Sequence, residues 1–258
     1  LSRANLVTLL SDFGLRDTYV AQMKAVIIGL DPTVRLVDVT HEVEPGNVME
    51  AALALESAWG LFPEGSVHLA VVDPGVGSSR APLAVEAAGH FFVGPDNGLF
   101  SLVPASGPEA RAVRLHEDFR PVSATFHGRD VFAPAAAHLA LGRPLEELGE
   151  AVEAIRTLPL PEVLLEPGVV MGEIIHMDHF GNLVTNLRPW HLEGRKLLGL
   201  RTGPLLRHSV SRTYSDVPEG ECLFLWNSAG RLEVACREGH AAMLLGLGVG
   251  DAVGAETD

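Results

Sequence analysis

Short apolar runs, each cut off by a loop bearing acid or glycine, alternate with helix-like stretches over residues 1–160. That rhythm restricts the chain to a layered α/β fold. Leu6 to Leu10 is a strand-like run ending in Ser11-Asp12-Phe13-Gly14, and Val34 to Val39 is a second. Val67 to Val72 ends abruptly at Asp73-Pro74-Gly75. Leu83 to Ala87 and His90 to Val93 predict further strands, the latter ending at Gly94-Pro95-Asp96-Asn97-Gly98. Between them Tyr19 to Leu30 carries apolar residues at helical spacing and stops before Pro32. Asn47 to Phe62 predicts a helix with Asn47 as N-cap and Glu50 completing a capping box, and Val131 to Leu141 an Ala-rich one that Asp130 can cap. The expected first domain (residues 1–160) is therefore a mostly parallel sheet with helices on both faces.

The pattern changes after a proline-rich stretch from Leu158 to Gly168, which reads as a linker. Beyond it Val169 to His176, Leu183 to Asn186, Glu221 to Trp226 and Leu232 to Cys236 are short strand-like runs separated by turn signals. Residues 168–258 are expected to form a smaller all-β, barrel-like domain.

Composition narrows the function. The 258 residues carry a net charge of −14 without a basic cluster, which disfavours nucleic-acid binding, because that requires cations to displace phosphate counterions. No stretch approaches the ~18 apolar residues of a membrane span, and Leu6 to Leu10 is too short for a secretory core. A cytoplasmic location with no membrane partner is expected. Cys222 and Cys236, the only cysteines, flank the turn Asn227–Gly230; a disulfide is geometrically possible, but two buried free thiols are the favoured reading for a cytosolic chain.

Ligands of open α/β sheets sit beyond the carboxyl ends of the strands. Here those ends present Asp12 and Asp17, then Asp73 with Arg80 shortly after, then Asp96, and a separate loop brings Thr125-Phe126-His127-Gly128-Arg129-Asp130. An aspartate in such a place ordinarily shapes a turn or caps a helix; convergence of several on one edge is what points to a site. Dinucleotide, Walker, nucleophile-elbow and HExxH motifs are absent. His176-Met177-Asp178-His179 invites a metal, yet His176 and His179 fall on opposite faces of a regular strand, so no metal and no cofactor is expected.

Six segments occur in an order that resembles one family: Ser11-Asp12-Phe13-Gly14, Asp38-Val39-Thr40-His41, Val71-Val72-Asp73-Pro74-Gly75-Val76-Gly77, Gly94-Pro95-Asp96-Asn97-Gly98, Phe180-Gly181-Asn182, and Asn227-Ser228-x-Gly230. The chain resembles the adenosine-forming S-adenosyl-L-methionine (SAM) hydrolases, or SAM hydroxide adenosyltransferases, relatives of the fluorinase and chlorinase. The likeness runs from Leu6 to about Gly246. It implies an N-terminal α/β domain, a C-terminal β-barrel, and a homotrimer holding its small-molecule substrate between subunits. It also implies catalysis by Asp73, Arg80 and His127. By the same resemblance Asp12 grips the ribose hydroxyls, Phe180 and Tyr214 pack on adenine, and Asn182 reads its edge. Asp17 and Asp178 then lie near the methionine ammonium, and Ser228 binds the carboxylate.

The chain departs from the fluorinase, which has Tyr at the place of Asp73 and Tyr-Ser at that of His127-Gly128, and the spacing between them is too short for the fluorinase's extra loop. A carboxylate repels an incoming halide, whereas an Asp–Arg–His group suits an ordered water. The chemistry is self-consistent: a carboxylate accepts two hydrogen bonds from a vicinal diol, and a sulfonium leaves as a neutral thioether without metal or acid. Positioning a nucleophile in line supplies at most roughly 7–11 kcal/mol. Asp73 or His127 can take the proton, and Arg80 can stabilise hydroxide character, although an arginine beside Asp73 makes it a weaker base. Two alternatives stand beside hydrolysis: a halogenase of the same fold, and a non-catalytic adenosine- or SAM-binding protein.

Overall fold

The computed structural model describes residues 4–107, 109–116 and 123–258. The chain divides into two compact units, Leu1–Leu158 and Pro159–Asp258.

The first unit runs β1 (Leu6–Ser11), α1 (Tyr19–Leu30), β2 (Arg35–Thr40), α2 (Val48–Ala58), β3 (Val67–Val71), β4 (Pro82–Ala87), β5 (His90–Pro95), β6 (Arg111–Leu115), α3 (Ala133–Leu141) and β7 (Gly149–Val152). Its sheet has the order β2-β1-β3-β5-β4-β6-β7. The four strands β2, β1, β3 and β5 are mutually parallel, but β5–β4, β4–β6 and β6–β7 are antiparallel. The sheet is thus mixed, which corrects the expectation of a mostly parallel one. The cause is local. Only Ala88 and Gly89 separate β4 from β5, and both have positive φ, 48° and 78°. A two-residue turn of that handedness returns the chain as a hairpin and cannot make a parallel crossover.

Alternate residues of the strands feed two cores, as the period of two requires. On one face Val7, Leu9, Leu69 and Val93 pack against Met23 and Ile27 of α1 and the alanines of α3. On the other Leu10, Ala70, Leu83, Val85 and Phe92 pack against Ala51 and Leu55 of α2. Helices do cover both faces.

Helix α2 starts as the sequence predicts, with Asn47 Oδ1 accepting from Glu50 N at 3.1 Å. The reciprocal arm of the capping box is missing, because Glu50 Oε2 instead accepts from Glu44 N at 3.1 Å. Asn47→Ala is expected to lower stability by about 1 kcal/mol, read as a shifted urea midpoint with unchanged slope. Asp130 does not cap α3 either. It lies within a π-helical turn, Gly128–Phe132, that leads into the helix, and its Oδ2 accepts from Ser123 N at 2.8 Å.

The second unit runs β8 (Leu164–Glu166), β9 (Val169–Met177), β10 (Leu183–Thr185), β11 (Leu197–Thr202), β12 (Leu205–Arg207), β13 (Cys222–Trp226), β14 (Leu232–Cys236), α4 (Ala241–Leu245) and β15 (Ala252–Thr257). The order is β12-β11-β15-β9-β10-β14-β13, with β8 also paired to β9. Part of the stretch read as linker is therefore strand. The two ends of the sheet approach each other: Arg207 Nε of β12 donates to Cys222 O of β13 at 2.8 Å. The result is a nearly closed barrel around Ile174, Leu183, Leu200, Phe224, Val234 and Val253. Cys222 and Cys236 are direct partners in the β13–β14 register and are bonded as a disulfide. This corrects the free-thiol reading: directly opposed positions on one hairpin bring the two sulfurs within bonding reach.

Candidate active site

The carboxyl ends of the parallel strands carry the first group of predicted residues. Ser11 and Val71 are register partners at the ends of β1 and β3, so Asp12 and Asp73 follow from adjacent strands. Asp12 Oδ2 accepts from Gly46 N at 2.8 Å. A Cβ on Gly46 would lie 3.8 Å from Pro74 Cβ, which places the loop after β2 against the loop after β3. Gly77, at φ +77°, brings that β3 loop so close to the His127 loop that a Cβ there would stand 3.0 Å from Ala124 O. Glycine is what permits the approach.

Asp73, Arg80 and His127 are in direct contact. Arg80 Nε donates to both carboxylate oxygens of Asp73 at 3.0 Å, and its Nη2 donates to Asp73 Oδ2 as well. Both side chains of this pair are only 5% exposed. Nη2 also reaches His127 Nδ1 at 2.7 Å, and the guanidinium lies 5.1 Å from the ring centre of buried Phe132. Guanidinium only donates, so Nδ1 accepts and His127 carries its hydrogen on Nε2. Burial, and next the Arg80 charge, push the His127 pKa below its ordinary value, against the charges of Asp73 and Asp130. The imidazole is neutral near pH 7 and offers an N–H donor.

Beside this group Phe13, Tyr19 and Phe126 meet at centroid distances of 5.2–5.8 Å and wall a cavity of ≈ 430 Å³ with Gln22 and Arg129. Asp17 is exposed in the loop leading to α1. Asp96 has a structural part, since Oδ1 accepts from Arg156 N at 2.7 Å.

The other predicted residues gather in the second unit. Asp178, Phe180, Asn182 and Tyr214 line a cavity of ≈ 830 Å³. Asp178 Oδ1 accepts from Phe180 N and Asn182 N at 2.9 and 2.8 Å, and Oδ2 from Asn182 Nδ2 at 2.9 Å. The carboxylate thereby shapes its own turn and aims Asn182. Gly181, φ +81°, is needed because a Cβ would meet the His240 ring at 2.2 Å. Phe180 is 73% exposed, a large apolar ring without cover in this unit. Ser228 is exposed on its turn, which Asn227 Oδ1 holds by accepting from Ala229 N and Arg231 N at 3.0 Å each.

Glu233 escaped the sequence reading. It is 3% exposed on β14 and accepts from Tyr214 Oη at 2.8 Å and Asn227 Nδ2 at 3.1 Å. It links the aromatic to the serine turn. Burial foremost pushes its pKa up, aided by the Asp178 charge and opposed by the two hydrogen bonds. Burial and the bond to Glu233 push Tyr214 up to about 12. The signal was an acid between Leu232 and Val234 in an apolar strand.

Among the described residues there is no group of three or more His, Cys, Asp or Glu placed to hold a metal, and no helix long and apolar enough to cross a membrane.

The family model of the SAM hydroxide adenosyltransferase N-terminal domain matches residues 7–149, and that of the C-terminal domain residues 172–254. The chain belongs to the SAM hydroxide adenosyltransferase family. A Thermus thermophilus protein named (R)-S-adenosyl-L-methionine hydrolase is 46% identical over 252 residues, 93% of this chain and 95% of the relative. A Nocardia brasiliensis fluorinase is more distant, 28% identical over 281 residues with 90% of each chain covered. A crystal structure of an uncharacterized conserved protein from Thermotoga maritima superposes with a TM-score of 0.88 at 36% identity, covering 96% of this chain and 98% of that one.

Proposed function

We propose that this protein hydrolyses SAM to adenosine and L-methionine by in-line attack of one water on the ribose 5′ carbon. The observation that carries the reading is the contact of Asp73, Arg80 and His127 in a chain so similar to a named SAM hydrolase. Water oxygen forms the new bond to C5′, the C5′–S bond breaks, and its electron pair neutralises the sulfonium as the methionine thioether. The water's proton goes to Asp73 Oδ1, which accepts one bond from Arg80 and keeps a free lone pair, whereas Oδ2 accepts two. His127 is unsuited to that task because Arg80 already occupies Nδ1; its Nε2–H orients the water instead. No metal or cofactor is required.

Asp12 holds the ribose diol with the carboxylate oxygen left free by Gly46. Phe180 and Tyr214 sandwich adenine, and Asn182, oriented by the bond from its Nδ2 to Asp178, accepts from the adenine amino group through Oδ1. Asp17 and Asp178 attract the methionine ammonium, and Ser228 donates to the carboxylate. A cytoplasmic homotrimer with substrate at subunit interfaces belongs to the same proposal, and light scattering at the trimer mass is its check.

Reaction in ¹⁸O-water with excess chloride tests the chemistry. The expected outcome is label in the adenosine 5′ hydroxyl, none in methionine, and many turnovers per site. Formation of 5′-chloro-5′-deoxyadenosine would make the protein a halogenase, and a yield fixed at one equivalent per site would make it a binder.

A further inference from the structure

Asp38-Val39-Thr40-His41 has no part in the chemistry above, yet the side chains of Asp38 and His41 form a hydrogen-bonded chain that runs from an exposed carboxylate to buried Ser11, the residue before Asp12. Lys24 Nζ donates to Asp38 Oδ2 at 2.6 Å. Asp38 Oδ1 is 3.0 Å from His41 Nε2, and His41 Nδ1 is 2.7 Å from Ser11 Oγ. Ser11 Oγ in turn accepts from Phe13 N at 3.3 Å.

The polarity of the chain follows from its ends. A carboxylate only accepts, so His41 Nε2 carries hydrogen. In the neutral ring Nδ1 then accepts, the Ser11 hydroxyl donates to it, and the serine oxygen is free to receive Phe13 N–H. Every donor has one acceptor. The backbone adds a second tie, since Gly14 N donates to the His41 carbonyl at 2.7 Å. Residues 11, 13 and 14 are all anchored, directly or through Ser11, to one histidine; residue 12 between them is the acid that faces the ligand. Ser11 is fully buried and His41 3% exposed, so water does not compete for the bond between them.

We propose that His41 is a positioning residue: through Ser11 and Gly14 it sets the direction of the Asp12 carboxylate and thereby the protein's selectivity for a nucleoside with an intact ribose diol. The inference rests on the reading of Asp12 as the diol-binding acid. A packing role alone would make His41 matter equally for any adenine nucleoside. A positioning role makes it matter for the hydroxyls.

The test is calorimetric titration with adenosine and with 2′,3′-dideoxyadenosine. The wild-type protein is expected to favour adenosine on the order of 100-fold, the value of charge-assisted bonds to the diol, and Asp12→Asn to abolish most of that preference. His41→Gln and Ser11→Ala are expected to cut the preference about tenfold while changing dideoxyadenosine affinity less than about threefold. If Asp12→Asn leaves the preference intact, the reading of Asp12 falls. If Asp12→Asn removes it but Ser11→Ala and His41→Gln both keep it, the positioning role is overturned with Asp12 still standing. Equal weakening of both nucleosides also overturns it. Should His41→Gln not fold, Ser11→Ala decides, because it removes one hydroxyl and leaves the imidazole in place.

Discussion

Arg80→Ala is expected to slow SAM hydrolysis by about 100- to 1,000-fold, the range seen when one preorganised donor is removed from a reacting centre. The size of the effect comes from the number of jobs the guanidinium does at once. It holds both oxygens of Asp73, fixes the His127 tautomer through Nδ1, and lies over Phe132. Removing it leaves a carboxylate only 5% exposed without its partner, a situation that costs about 3–5 kcal/mol. Unfolding must therefore be measured with turnover. Arg80→Lys keeps the charge but loses the planar fork, so it should recover stability more than rate. Because the three groups act as a unit, Arg80→Ala combined with His127→Ala should be scarcely slower than Arg80→Ala alone. Turnover within about threefold of wild type in Arg80→Ala, or clean additivity with His127→Ala, contradicts a concerted group.

Much of the first unit is legible in the chain because its elements are local. Helix α1 falls on the residues whose apolar spacing announces it, Tyr19–Leu30, and Asn47 caps α2 as its side chain dictates. The sheet departs from the mostly parallel expectation for a reason that is also local. The two-residue link Ala88-Gly89 specifies a hairpin, and that turn signal outranks the general rhythm of alternating strands and helices. Strands β11, β12 and β15 had weaker signals. Ala252–Thr257 contains two alanines and a glycine, and it becomes a strand because β9 and β11 pair on either side. Strand propensity of that sort is mostly context.

The site divides in the same way. Asp12 and Asp73 stand at strand ends where chemistry is expected, but 47 residues separate Arg80 from His127, and no local pattern joins them; only the family resemblance did. Glu233 and His41 carry a weaker mark, a polar residue in an otherwise apolar or tightly turned segment. The turn Asn227–Gly230 sets Cys222 opposite Cys236, and their disulfide follows from that local geometry rather than from an expected compartment.

Between pH 6.5 and about 3 the protein is expected to lose about 4 kcal/mol of stability through one side chain, His68. His68 lies wholly buried on β3, stacked on Phe92 at 5.1 Å. Its Nδ1 meets Thr8 Oγ1 at 2.9 Å and its Nε2 meets His90 Nδ1 at 3.1 Å. Both ring nitrogens are thus engaged in a space where a cation has no water. Burial first, and then the charge of His90, push its pKa down to about 3; burial also lowers His90, against the charge of Glu64. In the unfolded chain the same imidazole takes a proton near pH 6.5. A base whose folded pKa is depressed leaves stability intact above the unfolded value. Below it the unfolded state binds a proton that the folded state refuses, and stability falls with pH until the folded pKa is reached. Urea unfolding at pH 7.5, 6, 5 and 4 measures the slope. His68→Gln keeps hydrogen-bonding capacity without titrating, so the wild-type slope should exceed the variant's by about one proton near pH 5. Equal slopes for the two proteins would show that the buried imidazole does not govern acid stability.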